Sequence, residues 1–386
     1  MIAFVLMSFL TINSFAGNTV RGPGGGATGV PEGGNGAILS LDVWNKILEG
    51  EESNFCAGLE GVLGTAKITD SLGRKMESKK IFHALPYLDY ARKVDDNFAF
   101  FANVYAKDAQ GFAFENNFEQ WGFDTEALIA RINIGLGISW KIDDVWTVAL
   151  EADLGIEQLK LNYAFDINRF YLPIFTKTKG YGFGLGVTGA VICQATEKLR
   201  LGFQISSPMR MHCKGRTDLF GGEVSDSWKA EMDFPLSLHL AGSYQLTERL
   251  GACADVNWYD FKDDPVVLKF NHWGFEKPLQ LGFGEVFSVR GGFNYLVTDS
   301  LLVRVGGGYM TQGVARQYND STTTDIPGFY YALGFTYKVT GSIDLSLAYT
   351  HAEGKSSERS SWLGLVPGSK IEVGLDTIAV ECSYKF

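Results

Sequence analysis

The chain has 386 residues, a formal net charge of −10 and a mean hydropathy of +0.00. The acidic balance argues against nucleic acid as a partner, and no internal run of about 18 apolar residues is present to cross a bilayer as a helix. Glycine is abundant at 46, aromatics reach 13% and proline is scarce at 10, a composition that suits many strands joined by tight turns.

Residues 2–12 are apolar, and Ser14-Phe15-Ala16 gives a small-x-small cleavage site before Gly17. Residues 1–16 therefore read as a secretory signal, although the stretch lacks a basic start; a buried first strand is the competing reading. Residues 17–53 differ from everything after them. Arg21-Gly22-Pro23-Gly24-Gly25-Gly26 and Gly33-Gly34-Asn35-Gly36 hold neither a helix nor a strand ladder. Leu39, Val43 and Ile47 have helical spacing, so the segment is expected to be irregular with one short helix.

From residue 54 onward the chain falls into fourteen runs of alternating apolar and polar residues: 54–68, 81–93, 97–109, 127–142, 145–163, 179–194, 198–215, 227–246, 249–262, 285–297, 300–313, 328–339, 342–353 and 373–386. Alternation is the mark of a strand with one buried face, because successive side chains point to opposite sides. The connections alternate too. Val94-Asp95-Asp96, Asp143-Asp144, Ala195-Thr196-Glu197, Thr247-Glu248, Thr298-Asp299 and Thr340-Gly341 are short, whereas 70–80, 110–126, 263–284 and 354–372 are long and polar. Short turns at one end and long loops at the other describe an outer-membrane barrel with its long loops outside the cell.

The two faces of the runs support this. One carries Leu128, Ala130, Ile132, Ile134, Leu136, Ile138 and Trp140, and later Phe329, Tyr331, Leu333, Phe335 and Tyr337. Trp140, Trp146, Tyr244, Tyr295, Tyr337 and Tyr384 sit beside short turns, as an interfacial girdle would. The other face carries Arg131, Asn133, Glu151, Asp153, Glu157, Arg200, Gln204, Arg210, His239, Asp255, Asn257, Ser288, Arg290, Arg304 and Asp344. A dry core does not bury so many charges, but a lumen does. The last run ends Val380-Glu381-Cys382-Ser383-Tyr384-Lys385-Phe386, whose terminal aromatic resembles an outer-membrane sorting signal. The fold expected is all-β: a fourteen-stranded antiparallel transmembrane β-barrel spanning 54–386, with the N-terminal segment inside it.

Little in the chain points to catalysis. Five cysteines match no metal spacing. Alternation puts Cys56 and Cys253 on the polar face and Cys193, Cys213 and Cys382 on the apolar one, so no disulfide is expected. Gly182, Gly184, Gly186 and Gly189 lie mid-strand with no helix following, which favours close backbone approach over a phosphate loop. Of the histidines only His239 falls plainly on the lumen face, and no nucleophile is spaced to use it. No enzyme activity, metal or cofactor is expected. The lumen arginines Arg290, Arg304 and Arg131 are candidate carboxylate partners, with bracing of Glu151, Asp153, Asp255 and Asp344 as the alternative. Phe101, Tyr105, Leu302 and Met310 share lumen faces and offer apolar contact.

Several stretches, in order, resemble one known family. They are Phe82-His83-Ala84-Leu85-Pro86-Tyr87; Leu201-Gly202-Phe203-Gln204-Ile205-Ser206-Ser207-Pro208-Met209; Phe234-Pro235-Leu236-Ser237-Leu238 with Asp255-Val256-Asn257-Trp258; Val289-Arg290-Gly291-Gly292; Leu302-Val303-Arg304-Val305-Gly306-Gly307-Gly308-Tyr309; and Ile343-Asp344-Leu345-Ser346-Leu347-Ala348-Tyr349. The family is that of the FadL-type long-chain fatty-acid transporters and their aromatic-hydrocarbon-uptake relatives. The resemblance implies a barrel plugged by an N-terminal hatch, here residues 17–53. Its Asn-Pro-Ala motif stands as Asn35-Gly36-Ala37, which would gate the path. It also implies that ligand enters from outside and leaves sideways through the wall at a kinked third strand. The expected function is uptake of hydrophobic small molecules, most of all fatty acids, by a monomer in contact with outer-membrane lipid. A general porin or structural surface barrel is the alternative, and it would differ by its large, steady ion conductance.

Overall fold

Alternation of apolar and polar residues becomes strand after strand, each paired antiparallel with its chain neighbour. The computed structural model describes residues 53–69, 73–110, 113–114, 125–166, 173–219, 222–261, 265–274, 276–279, 282–313, 327–357 and 369–386. The proposed signal, the hatch with Asn35, Gly36 and Ala37, and the short helix lie outside the described residues.

The strands in chain order begin with β1 (Ser53–Thr69), β2 (Lys75–Glu77), β3 (Ile81–Lys93), β4 (Phe98–Gln110) and β5 (Ala113–Phe114). Next come β6 (Thr125–Lys141), β7 (Trp146–Asp166), β8 (Pro173–Gln194), β9 (Leu199–Ser206) and β10 (Met209–Leu219). Then follow β11 (Val224–Phe234), β12 (Leu236–Gln245), β13 (Leu250–Asp260), β14 (Val266–Phe270) and β15 (Glu276–Leu279). The last are β16 (Glu285–Thr298), β17 (Leu301–Met310), β18 (Gly328–Lys338), β19 (Ile343–Ser357) and β20 (Lys370–Lys385). With β9 and β10 taken as one wall strand and β11 and β12 as another, the wall has fourteen strands. β20 runs along β1 from Asn54↔Lys385 to Thr69↔Lys370, which closes the sheet. A closed barrel pairs its backbone groups internally and leaves no edge, the condition for crossing lipid as strands. No α-helix occurs among the described residues.

The short turns share one device. Asp95 Oδ1 accepts the backbone N–H of Asn97 and Phe98, and Asp143 Oδ1 those of Val145 and Trp146. The Thr196, Thr247, Thr298 and Thr340 hydroxyls do the same for the residues two and three places on. An Asp or Thr side chain completes a tight turn in this way without a long loop. Beside these turns Trp140, Trp146, Tyr244, Tyr295, Tyr337 and Tyr384 are all exposed, forming the expected girdle.

The wall breaks at two prolines on neighbouring strands. Ser207 donates its N–H to Val187 O at 2.8 Å, and Val187 N–H donates to Ser207 Oγ at 3.0 Å. Pairing with β8 resumes at Phe183↔His212, so β10 carries one residue more than β8 across the break. Such a bulge reverses which side chains face in. Alternation carried straight through Pro208 puts Arg210 in the lumen and Cys213 on the lipid side. In the structure Arg210 instead faces out and pairs with Asp233 at 2.9 Å, while Cys213 is buried inside. A Cβ on Gly184 would lie 2.5 Å from Arg210 O, so glycine there lets the bulged backbone approach. The other cysteines take the expected faces, and all five are free.

The long connections hold more structure than their polarity suggests. Within the connection 263–284, Val266–Phe270 and Glu276–Leu279 form the β14–β15 hairpin, which pairs with β11 through Trp228↔Phe270 and Lys229↔Lys269. The buried Asp226 carboxylate fastens it, accepting the backbone N–H of His272 and Trp273, each at 2.8 Å, and facing His272 Nδ1 at 2.8 Å. Burial alone would raise this carboxyl, but the hydrogen bonds from Trp273 and His272 outweigh it and lower it to about 2. The described parts of 164–178 and 216–226, which fall between the predicted runs, are extensions of β7, β8, β10 and β11.

Candidate functional site

The lumen is layered. Near the short turns Ala91, Ala99, Phe101, Ala149, Ala190 and Ile192 pack as a small apolar cluster. Above it lies a polar chain. Asn103 Nδ2 donates to Glu151 Oε2 at 2.9 Å, and Gly135 N–H donates back to Asn103 Oδ1 at 3.0 Å. Asn133 donates to Asp153 and, at 3.4 Å, to the Tyr105 hydroxyl. The Thr188 hydroxyl donates to Asp153 Oδ2 at 2.7 Å and lies 2.9 Å from the Ser206 hydroxyl. Buried polar groups satisfied this way set a rigid lumen wall.

Higher still the lumen turns apolar again. One cluster joins Leu159, Met209, Met211, Trp228, Met232 and Phe234 with the β14 residues Val266, Leu268 and Phe270. Another joins Ile68, Phe114, Met310, Tyr330, Ile371 and Leu375. Met side chains fill irregular space and adapt to varied apolar ligands.

The three candidate arginines occupy different levels of the lumen. The β16–β17 register sets Arg290 opposite Gly308 and Arg304 opposite Asn294, so Arg304 lies nearer the short turn. Arg290, buried, donates Nε to Asp255 Oδ1 at 2.6 Å, and Asn257 Nδ2 donates to the same oxygen at 2.6 Å. Arg304 Nη1 donates to Thr336 Oγ1 at 2.8 Å. Arg131 lies beside the methionine-rich cluster, its guanidinium 3.7 Å above the Phe234 ring and Nη1 3.7 Å from Met209 Sδ. Phe101 belongs to the lower cluster, Tyr105 packs with Cys56 and Tyr87, Met310 joins the upper cluster, and Leu302 shares the face of Arg304. The structure thus brings none of the three arginines into one constellation.

The wall itself holds a feature that alternation does not show. β3 pairs with β4 only from Leu88↔Val104 to Lys93↔Ala99. β3 continues up to Ile81 along β1, and β4 continues up to Gln110 along β6. The upper halves of β3 and β4 are therefore not paired with each other. The break is framed below by that short ladder. Above, it is framed by β2 on β1, β5 on β6, and a bridge from Ser78 to Phe114. A register shift between Ala106 and Asp108 kinks β4 beside it. Leu128 and Ala130, read from alternation as lipid-facing, are buried there against Val62 and Leu85 of β1 and β3. An outward face of β6 thus meets the lumen face of β1 and β3, so the two edges overlap and the seam is sealed by apolar contact. Pro86 was the sequence signal within reach, since a proline suits a strand side that carries no ladder.

A family model described as "Outer membrane protein transport protein (OMPP1/FadL/TodX)" matches residues 59–376. The chain belongs to this family. Outer membrane protein P1 of Haemophilus influenzae is 22% identical over 318 residues, covering 70% of this chain and 66% of its own length. The 47 kDa outer membrane protein of Pasteurella multocida is 21% identical over 205 residues, 48% of this chain and 47% of its own. The chain thus spans less than two thirds of the length of these relatives. Among solved structures, a Pseudomonas aeruginosa FadL homologue superposes with a TM-score of 0.76 at 15% identity, covering 97% of each chain. The Pseudomonas putida toluene transporter TodX gives 0.71 at 15%, covering 98% of this chain and 99% of its own. These likenesses establish the fold. Together with the family they place the chain in the bacterial outer membrane.

Proposed function

We propose that the chain takes up hydrophobic small molecules from outside the cell and releases them sideways into the outer membrane, with long-chain fatty acids as the cargo class. The seam between β3 and β4 carries this reading. Unpaired strand edges are costly within a membrane wall, yet here the break is framed above and below and, among the described residues, closed by apolar contact of Val62, Leu85, Leu128 and Ala130 with Ile132 beside them. Apolar contact is non-directional, so a passing hydrophobic molecule replaces it without leaving a polar group unpaired. Ligand would first rest on the methionine-rich cluster, with Arg131 at its border to meet a carboxylate, and the hatch residues 35–37 would gate the way down.

A specific observation favours neutral hydrocarbons as a second cargo class. Arg290 is engaged by Asp255, and the lumen buries Glu60, Glu151, Asp153, Glu157 and Glu381 as well. Below the level of Arg131 such a lumen offers an anion more acids than bases, Arg304 beside Thr336 being the exception. TodX, of similar fold, is named a toluene transporter.

The test is steric. Ala130→Trp should jam the seam and abolish uptake of a labelled fatty acid by cells, while Leu347→Trp, on the exposed outer face of β19, should leave it intact. Uptake by Ala130→Trp at the wild-type rate, in protein shown to be folded, would overturn lateral release. Equal wild-type affinity for a fatty acid and its methyl ester would replace the acid by the neutral class.

A further inference from the structure

Outside the lumen, the wall above the apolar belt on β8, β10, β11 and β14 is strongly basic in a chain of net charge −10. β7 and β8 are 21 and 22 residues long, about twice what a tilted strand needs to cross a bilayer. Their ends opposite the short turns therefore stand beyond the membrane on the outer side. The outward face of β8 runs Val187, Leu185, Phe183 and Tyr181, all exposed, and then changes to Lys179 and Lys177. On β8 the apolar run thus ends at Tyr181, where the lysines begin, whereas across the ladder from Phe183 the outward face of β10 already carries His212, paired with Glu231.

The register aligns bases with bases at three places, although Lys177 faces Asp218 and Lys269 also faces Glu276. Lys179 faces Arg216, Lys214 faces Lys229, and Lys229 faces Lys269. Like charges directly opposite on a sheet repel. Elsewhere on the outer wall a lysine faces an acid across the ladder, as Lys67 does Glu77 at 3.5 Å and Lys355 does Glu372 at 3.3 Å. Acids near the basic patch are already engaged: Asp218 by Arg216 at 2.8 Å, Glu276 by Lys269 at 3.6 Å, Asp233 by Arg210 at 2.9 Å, Glu231 by His212 at 3.4 Å, and Glu126 by Lys160. Lys177, Lys179, Lys214 and Lys229 are exposed and make no ion pair among the described residues.

We propose that this face binds the phosphate groups of a phosphorylated glycolipid of the outer leaflet, through Lys177, Lys179, Lys214 and Lys229. The lipid's acyl chains would lie along Phe183 and Leu185 directly beneath. A polyanion at that height removes the repulsion between facing bases and makes charge-assisted hydrogen bonds, and the adjoining apolar strip selects a lipid over a free anion. This site is separate from the cargo path and holds whichever cargo the lumen carries.

The test uses the purified full-length protein in detergent and lipid A as the probe, with its two phosphates and after their enzymatic removal. Wild type should bind the phosphorylated form about ten-fold or more tightly than the dephosphorylated one, with the difference shrinking at high salt. The variant K177Q/K179Q/K214Q/K229Q should lose that preference, and the all-arginine variant at the same positions should keep it. The proposal fails if wild type binds both lipids equally, if the arginine variant loses the preference, or if the folded glutamine variant retains it. Displacement of the lipid by equimolar inorganic phosphate would also overturn it, marking a free-anion site instead.

Discussion

Removing one member of the Arg290–Asp255 pair decides whether the lumen arginines brace the wall or wait for a ligand. The pair meets at 2.6 Å, with side chains 6% and 0% exposed. Two unit charges about 3 Å apart attract by roughly 5 kcal/mol at an effective dielectric of about 20, and their desolvation offsets much of that. The net worth of the pair is therefore small, but either charge left alone is not. Arg290→Gln strands the Asp255 carboxylate and should destabilise the barrel by about 3–5 kcal/mol; Asp255→Asn strands the guanidinium to a similar extent. The double variant should cost less than the sum, with a coupling of about 1–3 kcal/mol. Urea unfolding of the reconstituted protein, followed by tryptophan fluorescence, measures all three. Titrations of the folded Arg290→Gln protein with a fatty acid and its methyl ester should show equal changes for both. The bracing argument is refuted if Arg290→Gln costs under about 1 kcal/mol while acid binding alone weakens by about 1.5–3 kcal/mol, the worth of a charge-assisted hydrogen bond.

Two further outcomes follow from the wall and its loops. The Asp226 carboxyl is lowered from 3.8 to about 2 in the folded protein. Its hold on the β14–β15 hairpin is therefore fully present above pH 3.8 and lost as pH falls through about 2. Hydrogen exchange at the His272 and Trp273 amides should stay slow down to that range, and Asp226→Asn should make both amides exchange faster already at neutral pH. Gly184→Ala places a Cβ 2.5 Å from Arg210 O and should destabilise the barrel by about 1–3 kcal/mol; unchanged urea stability would show that the bulge relaxes freely.

The sequence by itself determined the barrel. Alternation of period two, repeated between short turns, leaves a membrane wall as the arrangement that satisfies both faces. The turns were legible because Asp95, Asp143, Thr196, Thr247, Thr298 and Thr340 make them locally, with side chains two or three residues from the amides they cap. The girdle was legible for the same reason, since each aromatic sits beside its own turn. Tertiary structure decided whatever depended on register between strands. One extra residue at Ser207–Pro208 turned Arg210 out and Cys213 in, and a period-two pattern holds no record of where it slips. The place where β3 stops pairing with β4 depends on β2, β5 and the overlap of Leu128 and Ala130 with Val62 and Leu85, which are far apart in the chain. Whether an arginine braces or binds likewise rests on a partner such as Asp255, which only the closing of the sheet brings to Arg290.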